Sequence, residues 1–329
     1  MSAPRETRTT GPNPLHGSQP ADGTADGAAL PGNAPGAGAD AVARGIPRWR
    51  LRVPTALRTP LGIVGGAIIA VWVLIALFAP ILCPADPLAQ AFPRLQPPGP
   101  GNLLGTDELG RDVLSRVLSA ARTTLPVAVL VVLASMLAGS ILGAVAGYFG
   151  KFVDEVIMRL ADLVFAFPTI ILAMVIAAAL GPGLKNAVVA ILLVSWPSYA
   201  RVARSLVMSA RSSEYVVAGR LLGFSAPRSL AVDIAPNVAS PLLVLGTLSV
   251  GEAILTMAGL SFLSLGAVPP TPDWGAMVSE GVANFSAWWI ALFPGLAILT
   301  VVMAFNFIGD SLRDALDPRT ARTVGEQTS

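Results

Sequence analysis

The sequence predicts an all-α membrane protein with six transmembrane helices. The first reason is a run of 22 residues, Leu61 to Leu82, that holds no charged side chain. At about 1.5 Å per residue a helix of that length covers ~33 Å, enough to cross a ~30 Å hydrocarbon core. The second is that comparable runs recur as far as Ile308, long and continuous where barrel strands would be short and alternating. The third is composition. With 53% hydrophobic and 13% charged residues the chain is too apolar for an ordinary soluble domain. Backbone polar groups in lipid must be satisfied locally, so these runs are helices.

The elements follow in order. Residues 1–46 are rich in Gly, Ala, Pro and Thr without apolar periodicity. They cannot bury enough surface to offset chain entropy and are expected to be a disordered tail. The apolar run from residue 61 is too long for a signal h-region and reads as a retained first span. The next segment, to residue 122, includes Val113, Leu114, Val117, Leu118 and Ala121 at helical spacing, with Asp112 and Arg116 as an i,i+4 pair. It reads as an interfacial helix on the outer surface. Further spans are expected at Thr123–Phe149, Leu163–Leu184, Asn186–Ala200, Ser240–Leu263 and Trp288–Ile308. Gly139, Gly143 and Gly147 share one face of the second span and permit close helix packing. Pro126, Pro168, Pro197 and Pro294 mark kinks or helix starts, and Trp288 with Trp289 suits an interfacial anchor.

Charge placement predicts orientation. With both termini cytoplasmic, inside segments hold 7, 2, 5 and 3 basic residues, 17 in all, and outside segments hold 4, 1 and 0, or 5. That asymmetry places both termini inside. The net charge of +2 is spread between spans and forms no nucleic-acid patch. One cysteine, Cys83, and one histidine, His16, exclude an intrachain disulfide, a cysteine-based zinc site and histidine relays.

The two lysines, Lys151 and Lys185, do not stand in a Gly-Lys-Ser/Thr phosphate loop, so the chain cannot hydrolyse ATP by that route. Glu252 is the one carboxylate well inside an apolar run, with Asp162 at a span boundary. An ion-coupled carrier or channel using Glu252 is one reading; a carboxylate facing the bundle interior, hydrogen-bonded or protonated, is the plainer one. The inner loop carries a different signal. Ser213–Leu222 suits a short amphipathic helix, Gly223 can take the left-handed conformation that ends it, and Ser225 with Pro227 can start a second before Pro236 closes the element. Such a helix–Gly–helix can transmit a push to another subunit, although it can also be an ordinary solvated connector.

The stretch Glu214–Asn237, EYVVAGRLLGFSAPRSLAVDIAPN, resembles the EAA loop of permease subunits from bacterial ABC importers, more narrowly the C-type permease of the dipeptide, oligopeptide and nickel group. Leu104–Arg116 (LGTDELGRDVLSR), Gly259–Gly266 (GLSFLSLG), Pro269–Gly275 (PPTPDWG) and Gly309–Arg319 (GDSLRDALDPR) match that group in the same order. The resemblance implies a type I importer permease domain over 123–314, an N-terminal region over 47–122 and a cytoplasmic tail over 315–329. It implies a second, B-type permease, two cytoplasmic ATPases that bind ATP and magnesium, and an extracytoplasmic binding protein. This chain would bind no cofactor and catalyse nothing. Glu214, Tyr215, Ala218, Gly219, Gly223 and Pro236 would belong to the ATPase-coupling loop. Departures from the pattern are Val217 for a glutamate, Gly219 for an alanine, Ala235 for a leucine, Met257 for a glutamate and Ser264 for a glycine. Val217 removes an ionic contact and leaves the apolar face. The expected cargo is di- or oligopeptides, with nickel chelates, glutathione or another small solute as rivals.

Overall fold

The computed structural model describes residues 59–316. The expected tail at 1–46 and most of 315–329 lie outside the described residues. Among the described residues the chain forms α1 (Pro60–Leu82), α2 (Val113–Phe149), α3 (Lys151–Phe165), α4 (Thr169–Leu180) and α5 (Leu184–Arg211). Then come α6 (Glu214–Leu221), α7 (Ala226–Arg228), a π-helical turn (Ser229–Ile234), α8 (Ala235–Phe262), α9 (Trp274–Ala283) and α10 (Trp289–Leu316). Five helices are long and apolar enough to cross a membrane, six if the α3–α4 pair counts as one span.

That pair corrects the expected span Leu163–Leu184. The chain turns by 90° between α3 and α4. Pro168, at the N-cap of α4, has extended-type backbone and cannot continue the preceding helix. Twelve residues of α4 rise only ~18 Å, so it cannot span alone. The charged part, α3, lies against α5: both carboxylate oxygens of Asp154 accept from Arg204, and Asp162 pairs with Arg201 at 2.8 Å. These partners explain why α5 runs on to Arg211, well past the expected end at Ala200.

The α2–α5 contact is set by small residues. A Cβ on Gly139 would meet the Trp196 carbonyl, one on Gly143 the Ala200 backbone, and one on Gly147 would lie 2.7 Å from the Arg204 carbonyl oxygen. Overpacking of such a seam costs about 1–3 kcal/mol or more. Gly143→Ala should therefore lower the thermal midpoint of the purified protein in detergent. Gly295→Ala, where nothing lies within 4 Å, should leave it unchanged. Equal midpoints for the two variants would show that the seam yields.

At one end, the loop end, α6, α7 and the π-helical turn lie beyond α5. Pro236 does not close an element there. Helix continues from Ala226 through the π-helical turn into α8, and the Ala235 N–H bonds to the Leu230 carbonyl. The wider π turn accommodates the donor that Pro236 lacks.

At the opposite end the expected interfacial helix is instead the first part of α2, with Val113, Val117 and Ala121 buried. Asp112 caps α2 through the Ser115 N–H and accepts from Asn102, so it does not pair with Arg116. Trp289 is buried and donates its indole N–H to Thr106, whereas Trp288 is exposed; only the latter can anchor at an interface.

Candidate functional site

Three groupings of polar or unpartnered apolar residues stand out. The first is the loop end. Glu214, Tyr215, Ala218 and Gly219 lie in α6, and Gly223 follows with φ +85. After the turn Phe224 folds back: its N–H bonds to the Gly219 carbonyl at 3.0 Å, and Arg228 covers its ring at 4.1 Å. Gly219 is buried in this fold-back, where a Cβ would stand 3.1 Å from the Phe224 ring. Its small size serves the loop's own packing and is not presented outward. The outward face carries apolar side chains: Leu221 is 85% and Leu222 78% exposed, with Val217 and Ala218 exposed in the same helix as Leu221. Pro236 is exposed at the start of α8. Leu221 and Leu222 stand in the sequence as two leucines before a helix-ending glycine.

The second grouping is a cavity of about 40 Å³ between α2, α5 and α8, edged by the first residue of α4. Its polar lining includes Ser135, Ser195, Ser198, Tyr199, Ser249 and Glu252, with Thr169 and Thr256 beside them. Glu252 lines this cavity and is exposed at its edge, and among the described residues no ion pair involves it. Glu252 lies ten residues before the end of α8, about 15 Å along the helix and so near mid-membrane. A carboxylate at that depth is costly against lipid and marks a pathway or subunit face. Gly139, Gly143 and Gly147 are on the α2 face that meets α5, and hold the two helices close below this cavity.

The third grouping lies at the end opposite the loop. Asp107 is fully buried and accepts from Arg116, from Arg111 Nε at 2.6 Å, and from the backbone N–H groups of Leu109 and Arg111. Arg116 also donates to Glu280 of α9 at 2.9 Å. Burial pushes the Asp107 carboxyl up, but the Arg111 N–H and the two guanidinium groups outweigh it and hold it below the usual carboxylate value. Trp274 completes the clasp, donating to the Val117 carbonyl at 3.0 Å and meeting Trp72 of α1 edge-on. No group of three or more His, Cys, Asp or Glu side chains among the described residues could hold a metal ion.

Residues 139–322 match the family described as binding-protein-dependent transport system inner membrane component, and residues 49–98 match the N-terminal transmembrane domain of oligopeptide transport permease C. The dipeptide transport system permease protein DppC of Alkalihalophilus pseudofirmus is 43% identical over 274 residues, 82% of this chain and 90% of the relative. DppC of Escherichia coli K12 is 46% identical over 266 residues, 78% of this chain and 88% of the relative. The glutathione transport system permease protein GsiD of Pectobacterium atrosepticum is 39% identical over 274 residues, 82% of this chain and 91% of the relative.

Proposed function

The chain belongs to the family of binding-protein-dependent transport inner-membrane components, and from that premise we propose that it carries di- and oligopeptides through the membrane. As an ABC importer permease it works with ATPase and substrate-binding partners. The finer assembly is our reading: one B-type permease beside this chain, two cytoplasmic ATPases holding ATP and magnesium, and a binding protein outside. No catalysis and no cofactor are assigned to this chain. The observation that carries the coupling role is the loop end, a short helix, a positive-φ glycine and two leucines 85% and 78% exposed. Exposed leucines beside a turn held rigid by its own fold-back suit a groove in a partner. Peptide cargo rests on the dipeptide names of the relatives; the glutathione relative keeps a small thiol peptide as the second reading.

The test is uptake of labelled dialanine by vesicles holding the complete complex. Import should collapse on ATP depletion and survive an uncoupler. The reverse pattern would favour an ion-coupled carrier through Glu252. Failure of dialanine to enter while glutathione does would move the cargo, not the architecture.

Orientation has its own check. Arg228 and Arg313 should face the cytoplasm. Asp107 and Asp273 should be outside, but both are buried, so exposed Glu108 and Phe285 are the better reporters of that end. In a Cys83→Ser background, single cysteines at 108 and 285 should react with an impermeant thiol reagent added to intact cells. Cysteines at 228 and 313 should stay silent until the membrane is opened. Labelling of 228 or 313 from outside would invert the topology.

A further inference from the structure

The cavity beside Glu252 has polar groups that the fold itself does not use. The Ser135 hydroxyl is buried with no hydrogen-bond partner among the described residues, and its residue is 1% exposed. The Tyr199 hydroxyl, on a residue 2% exposed, has no partner of full hydrogen-bond geometry, although it lies toward Ser249 and Glu252. Buried polar atoms are normally satisfied, so two at one cavity point to an occupant that supplies hydrogen-bonding groups.

The chemistry of that occupant follows from the lining. A carboxylate is an acceptor only, and hydroxyls can accept as well as donate. An ammonium group brings one positive charge and three N–H donors, which match one carboxylate and two hydroxyl oxygens. Size decides how much of a ligand enters. A water-sized group needs about 10–15 Å³ of such space, so a cavity of about 40 Å³ takes an ammonium and a water but no peptide body. The remainder must lie on the exposed side of Glu252, along the face of α8.

We propose that Glu252, Ser135 and Tyr199 form a mid-membrane cradle for the α-ammonium group of the transported peptide. This rests on the peptide reading above. The cradle gives the permease a selectivity of its own, for a free amino terminus, independent of side chains. It also accounts for a carboxylate placed at mid-membrane on an exposed face with no ion pair among the described residues.

The experiment uses the complete complex in proteoliposomes with two probes, dialanine and propionyl-alanine, the same dipeptide without its amino group. Both are supplied at concentrations giving equal occupancy of the binding protein, so its preference cancels. Wild type should import dialanine at least tenfold faster than propionyl-alanine. Glu252→Gln should lose most of that ratio by slowing dialanine about tenfold. Glu252→Asp should recover part of the dialanine rate, and Ser135→Ala with Tyr199→Phe should lower it severalfold. The cradle is overturned if Glu252→Gln imports dialanine normally, or if it slows both probes equally. If the wild-type complex hydrolyses ATP but imports no dialanine, the peptide reading itself has failed.

Discussion

Gly223→Val should abolish substrate-stimulated ATP hydrolysis and import while leaving the permease in the membrane. A Cβ at position 223 would meet nothing within 4 Å, so lack of room is not the difficulty. The difficulty is the backbone, whose φ of +85 a β-branched residue strongly disfavours. A left-handed conformation costs an ordinary residue roughly 1–2 kcal/mol, and more for valine. The loop would escape that cost by opening the turn, which breaks the Phe224 to Gly219 hydrogen bond and moves Leu221 and Leu222. Each leucine, when buried in a partner, contributes about 1.5–3 kcal/mol, so displacing both removes most of a docking contact. A series separates backbone from bulk: Asn, which tolerates positive φ, should retain most activity, Ala less, and Val none. Ala218→Arg provides a second arm by placing charge on the exposed face of α6 without touching the turn. The readouts are ATPase rate and subunit stoichiometry of the purified complex. Normal import by both Gly223→Val and Ala218→Arg would show that this loop is not the coupling element.

What the sequence disclosed and what it concealed divide along physical lines. The first span, Leu61–Leu82, differs from α1 by one residue because nothing but length and apolarity defines it. The bend between α3 and α4 was hidden because Phe165, Ala166 and Phe167 are as apolar as a straight helix would need; only Pro168 signalled it. The length of α5 was hidden because Arg201 and Arg204 read as the start of a loop until Asp162 and Asp154, 39 and 50 positions earlier, appear beside them. The local i,i+4 pair read from the sequence, Asp112–Arg116, does not form, because Asp112 is taken by the α2 cap; Asp107–Arg111, at the same spacing, does. At the loop end the glycine turn was legible from residue type alone. The inward placement of Gly219 was not, since it depends on Phe224 folding back across the turn. At the cavity, Glu252 stood out as a charge in an apolar run, while Ser135 and Tyr199 gave no signal because a buried hydroxyl looks the same whether partnered or not.

Asp107→Ala should be the most destabilising single change in the described fold. Asp107 is the acceptor for two guanidinium groups that are 4% and 2% exposed, and its loss leaves Glu280, at 19% exposed, as their remaining counter-charge. Removing one partner of a buried pair costs about 3–5 kcal/mol, because the charge left behind stays desolvated. The backbone donors of Leu109 and Arg111 lose their acceptor as well. A fall on the order of 10 °C in thermal midpoint is expected. Glu280→Gln should cost less, since a part-exposed partner leaves its arginines within reach of water. Arg116→Lys should be intermediate: it keeps the charge but gives up the fork that spans Asp107 and Glu280 at once. The sign of the pH dependence follows from the lowered Asp107 value. Its contribution is complete above the ordinary carboxylate value near ~4 and is lost as pH falls through the lowered one, so at neutral pH the clasp is at full strength. The joined segments are the residue 104–116 loop, α2 and α9, 164 or more positions apart across the Glu280 contacts. Loosening them should therefore expose the segment 83–112 to protease before α1 or α8 unfolds. Limited proteolysis beside the thermal scan reads both effects. A midpoint for Asp107→Ala within a degree or two of wild type, with no new cleavage between residues 83 and 112, would show that the cluster is decoration on a fold held elsewhere.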